Sequence, residues 1–101
     1  MLFVMIEDYT METRDRLFER FEHYTRPDGV KVLGHYQLLG QQRIVIIAEA
    51  ESAEALARVT APWTDVVSIQ IFPAMAWADY YQLAYLSKKN ASAPSGPEGR
   101  R

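Results

Sequence analysis

His23 and His35 are the two histidines of the chain, and the side chains whose charge changes nearest neutral pH. His35 lies within a stretch that reads as a strand, where an imidazole is suited to general acid–base work. The plainer reading of His35 is a structural histidine hydrogen-bonded at an interface. His23 falls near the polar edge of a predicted helix and reads as a surface residue. The pair does not make a metal site. They sit on different elements, and no carboxylate stands at ligand spacing to either. Gln37, Ser68 and Gln70 are placed to orient a ligand by hydrogen bonds, and Glu7 could add another. Trp63 and Asp65 could shape a pocket mouth. Gly29, Gly34 and Gly40 have the wrong spacing for a nucleotide-binding loop, and no nucleophile elbow or triad can be drawn. No cofactor is expected.

Composition narrows the field further. There is no cysteine, which rules out disulfides, thiolate nucleophiles and sulfur-ligated metals. With 101 residues the chain has room for one core. Its net charge of −2 gives no basic patch for nucleic acid or an anionic membrane. Met1 to Ile6 is too short for a secretory apolar region and runs into Glu7-Asp8. No run reaches membrane-spanning length. A cytoplasmic protein is the expectation.

The elements that must position these residues follow from periodicity. Leu2 to Ile6 reads as a strand. Asp8 or Thr10 caps a helix from Met11 to Tyr24, with Leu17, Phe18, Phe21 and Tyr24 on one stripe. Arg26-Pro27-Asp28-Gly29 is a turn. Val30 to Leu39 and Arg43 to Glu49 form a hairpin, with a bulge or close approach at Gly34. Ser52 caps a second helix, which closes at Pro62. Val66 to Pro73 is the last strand. Strand, helix, strand, strand, helix, strand is an α+β, ferredoxin-like βαββαβ sandwich with a four-stranded antiparallel sheet. Residues 1–75 form the domain, 76–87 an aromatic C-terminal helical extension, and 88–101 a disordered tail.

Strict alternation assigns the two faces of the sheet. Leu2, Val4, Ile6, Val32, Gly34, Tyr36, Ile44, Ile46, Val67, Ile69 and Ile71 are expected beneath the helices. Phe3, Met5, Glu7, Lys31, Leu33, His35, Gln37, Val45, Ile47, Glu49, Ser68, Gln70 and Phe72 are expected on the open face. That open face is too apolar to be left in water. Two copies stacked sheet to sheet, a two-fold homodimer, would cover it.

Four stretches carry a family resemblance: Met1-Leu2-Phe3-Val4-Met5-Ile6, Gly29 to Tyr36, Ala53-Glu54-Ala55-Leu56-Ala57, and Pro62-Trp63-Thr64-Asp65. Over residues 1–75 the chain resembles a family of short bacterial proteins of unknown function that is similar to the dimeric α/β-barrel superfamily. That superfamily is similar in shape to cofactor-free monooxygenases, muconolactone isomerases, polyketide cyclases, haem-dependent enzymes and the effector domains of some transcription regulators. The resemblance implies a ligand cavity between sheet and helices, with Tyr36 on its wall. Fold likeness does not choose among these activities. The leading expectation is a homodimer that binds an apolar or aromatic small molecule, as a cofactor-independent enzyme if His35 moves protons. The alternative is a non-catalytic protein-interaction or ligand-sensing module, with Trp77 to Leu86 docking on a partner.

Overall fold

The computed structural model describes residues 1–86. Strand β1 (Leu2–Asp8) leads to helix α1 (Met11–Glu22), strands β2 (Val30–Gln37) and β3 (Arg43–Ala50), and helix α2 (Ala53–Thr60). A 3₁₀ turn (Ala61–Trp63) then leads to strand β4 (Ser68–Ala74). The sheet order is β2-β3-β1-β4, with every pair antiparallel. This is the ferredoxin-like arrangement expected from the element order. The chain continues into helix α3 (Trp77–Tyr81) and a π-helical turn (Gln82–Leu86). The last residue of the predicted helical extension and the predicted disordered tail lie outside the described residues. No described helix is long and apolar enough to cross a membrane.

Local chemistry sets the element ends. Thr10 caps α1: its hydroxyl accepts from the Thr13 amide at 3.2 Å, and the Thr13 hydroxyl accepts from the Thr10 amide at 3.1 Å. Asp8 instead pairs with Arg43 at 2.7 Å and ties the end of β1 to the start of β3. Ser52 caps α2 by accepting from the Ala55 amide at 3.1 Å. Pro73 falls within β4, which is an edge strand, where a missing amide hydrogen is tolerated.

The two faces differ from strict alternation, for a visible reason. Val32 pairs with Ala48, and the next pair is Gly34 with Ile47, so Leu33 is an extra residue. This bulge reverses the alternation of everything after it. His35 and Gln37 therefore join Val30 and Val32 on the helix side, while Gly34 and Tyr36 turn to the open side. β1 is inverted as well. Met5 pairs with Ile46 and Ile71, and Glu7 with Ile44 and Ile69, so Phe3, Met5 and Glu7 face the helices. Leu2, Val4 and Ile6 face outward. β3 and β4 keep their expected faces. The core is Met5, Ile44, Ile46 and Ala48 under Leu17, Ala55, Leu56, Trp63, Val66 and Val67.

Asp65 clamps α1 to the turn before β4. Arg20 grips both of its carboxylate oxygens, at 2.7 and 2.8 Å, and also donates to the Pro62 carbonyl at 2.6 Å. Arg16 adds a contact at 3.4 Å. The hydrogen bonds from Arg20 hold the Asp65 carboxyl well below the usual carboxylate range. A depressed folded value means the clamp stabilises fully above the unfolded carboxyl pKa of about 3.9 and fades as pH falls toward the folded value. Thermal melts from pH 7 to 2 should show Asp65→Asn melting below wild type at pH 7. The gap should narrow below about pH 4.

Candidate functional site

A cavity of about 440 Å³ lies between the sheet and the helices. That volume suits a small-molecule site. Its floor is Met5, Ile44 and Ile46, from the two central strands. Leu17, Phe18 and Phe21 of α1 form one wall, and Val59 and Trp63 close an end. The α1 stripe is not all core: Phe18 is 47% and Phe21 57% exposed, because these rings border the opening. Tyr24 lies just past the end of α1 yet continues the stripe, with its ring 4.9 Å from that of Trp63.

Glu7, Arg26, His35 and Gln37 place polar groups on this lining. Gln37 is fully engaged. Its carbonyl accepts from the Tyr9 hydroxyl at 3.0 Å, and its amide donates to the carbonyls of Leu38 and Gln41. It shapes the wall and holds the β2–β3 turn. Glu7 and His35 are different. Among the described residues, neither side chain has a hydrogen-bond partner. His35 is exposed, and its ring meets the edge of Phe21, with ring centroids 5.6 Å apart. The Tyr24 hydroxyl, unlike these two, is buried without a partner.

Burial acts on both ionisable groups in the same sense. It pushes the Glu7 carboxyl up from its ordinary value. It pushes the His35 imidazole down, and the charge of Arg26 pushes it further. Each is moved toward its neutral form, a carboxylic acid that can donate and an imidazole nitrogen that can accept. Register fixes their relation. Met5, Ile46 and His35 share one rung, and Glu7, Ile44 and Gln37 the next. Their Cα atoms are therefore two strands and one rung apart, roughly 12 Å. A molecule lying across Ile44 and Ile46 would meet both.

The remaining candidates from the sequence divide between the faces. Trp63 is in the cavity lining. Tyr36 is not: it is 56% exposed on the opposite face, where its ring lies over Gly34. Ser68 and Gln70 pair with Asp8 and Ile6 and stand on that same outer face, away from the cavity. His35 faces the helices, not the open side. His23 is exposed, 3.9 Å from Glu22. Among the described residues no group of histidines and carboxylates is arranged to hold a metal. Arg26 was legible only as part of a turn, and its approach to the cavity depends on how α1 is followed by β2.

Residues 1–86 match a family model described as a domain of unknown function, DUF3303. No curated protein matches the chain. Among solved structures, one similar chain is a Deinococcus radiodurans protein described as a candidate antibiotic biosynthesis monooxygenase. It is 12% identical, the match covers 75% of this chain and 94% of that one, and the TM-score is 0.43. At that score the likeness adds nothing to the topology described above.

Proposed function

The chain belongs to the DUF3303 family, and we propose that it works as a homodimer whose subunits each bind an apolar or aromatic small molecule between sheet and helices. The observation that carries this is the cavity itself, an aromatic and aliphatic lining with Glu7 and His35 left without partners. Glu7 is half-buried and His35 exposed, so their polar atoms are open to a ligand and not tied up within the chain. In this reading His35 takes a proton from the bound molecule, and Glu7 shares a hydrogen bond with it. The dimer is supported by the outer sheet face. Leu2, Val4, Ile6, Val45, Ile47 and Phe72 share it, and apolar area of this kind marks an interface. A second copy, two-fold related, covers it with the same face.

A thermal-shift screen of small aromatic compounds tests the binding. A ligand at a hundredfold excess over its Kd should stabilise the protein by about 2.7 kcal/mol, on the order of 10 °C in Tm. Val59→Phe, which fills the cavity, should abolish the shift, and Gln70→Ala, on the outer face, should leave it intact. Loss in Gln70→Ala with retention in Val59→Phe would place the ligand on the other side of the sheet.

One observation favours the alternative interaction module. Trp77 and Leu83 are 72% and 63% exposed, and the aromatic rings of this segment pack on one another, with Tyr81 stacked on Tyr85 at 5.2 Å. Deleting residues 75–101 separates the readings. The cavity reading expects ligand-induced stabilisation to survive the deletion.

A further inference from the structure

Arginines among the described residues are nearly all engaged. Arg16 and Arg20 hold Asp65, Arg43 holds Asp8 at 2.7 Å, and Arg58 faces Glu54 at 3.6 Å. Arg14 lies over the Phe18 ring at 5.2 Å. Arg26 is the exception: among the described residues it has neither a carboxylate nor a ring partner, and it lines the cavity. It stands in the connection between α1 and β2, just before Pro27, and is itself exposed.

Its charge acts on the cavity, since it is the second cause of the lowered proton affinity of His35. The other ionisable lining groups, Glu7 and His35, are both shifted toward neutrality by burial. Among the described residues, Arg26 is the one arginine or lysine on a mostly aromatic and aliphatic lining. A guanidinium with free donors is a planar fork that matches a carboxylate in two parallel hydrogen bonds. An apolar body attached to that carboxylate has Phe21 and Trp63 to lie against.

Building on the cavity reading above, we propose that Arg26 is an anion-binding residue and that the ligand class is an aromatic or apolar acid. The carboxylate pairs with Arg26, and the ring enters toward Ile44 and Ile46. This narrows the class from any small aromatic compound to those with an acidic group at one end. It also orients the molecule, with its far end toward Glu7.

Two probes of nearly equal shape test it: 2-naphthoate and the neutral 2-naphthamide, titrated calorimetrically. The two tryptophans report location. The Trp63 indole N–H resonance should move on binding, and that of Trp77, on the exposed segment, should not. Naphthoate is expected to bind about tenfold tighter than the amide or better. Arg26→Gln should bring naphthoate to the affinity of the amide, which stays unchanged, and Arg26→Lys should restore part of the preference. Equal affinity of the two probes with Trp63 responding, or a preference that survives Arg26→Gln, would overturn the role of Arg26 while leaving the cavity reading in place. If neither probe moves Trp63, the cavity reading fails and the role of Arg26 with it.

Discussion

In the proposed homodimer, Ile47→Asp is expected to separate the two copies without unfolding either. Ile47 sits on β3, a strand with neighbours on both sides, and its rung on the outer face also holds Val4 and Gly34. In a two-fold dimer the substitution enters twice. Each copy then has to bury a carboxylate with no counter-charge, which costs several kcal/mol per site and adds like-charge repulsion. The association constant should fall by at least about a thousandfold. Within the single chain the side chain faces away from the core, so the far-ultraviolet circular dichroism should match wild type. Sedimentation equilibrium at micromolar protein checks it. Wild type should have the mass of two chains and Ile47→Asp that of one. A wild-type protein with the mass of one chain would rule out the proposed dimer.

Gly29→Ala is expected to lower stability by about 3 kcal/mol, from two separable sources. Gly29 has φ of +100°, a conformation that costs an L side chain about 1–2 kcal/mol. An added Cβ would also lie 2.9 Å from the Ala55 Cβ, at the buried start of α2. Crowding of that kind costs about 1–3 kcal/mol, since α2 must move to relieve it. The drop in Tm should be on the order of 15 °C. Gly40→Ala separates the terms. Gly40 has φ of +81°, with no atom within 4 Å of where its Cβ would stand. It should lose about 1–2 kcal/mol only. Equal losses in the two variants would mean that the Gly29 backbone does not approach α2 closely.

Much of this architecture is legible from residue spacing. The element order, the cap at Ser52, and the hairpin between β2 and β3 all follow from local signals. Asp8 and Thr10, by contrast, are equal candidates for the α1 cap until Asp8 is seen to pair with Arg43. β4 alternates and discloses its faces, and in β3 Arg43 and Glu49 mark the outer one. β1 does not, because Leu2 to Ile6 is apolar at every position and both faces read alike. Glu7 then looks like the marker of a wet side, whereas it points into a cavity whose apolar surroundings raise its pKa. β2 fails for another reason. Gly34 signals an irregularity, yet a bulge and a close approach leave the same trace, and only the bulge reverses the side chains beyond it. His35 and Tyr36 exchange faces on that single extra residue. The aromatic stripe of α1 predicts burial, but it cannot tell packing against side chains from packing around a void. Arg26 is silent in the sequence because its position depends on where the chain turns after α1.

On the proposed function, the helix side of the sheet, and not the outer side, receives a small molecule. Intermolecular nuclear Overhauser effects from a bound aromatic ligand, with 2-naphthoate as the first choice, test it most directly. Contacts are expected from the ligand ring protons to the methyl groups of Ile44, Ile46 and Val59. Contacts to Val4, Val45 and Ile47 in their place would put the ligand on the outer face and contradict it.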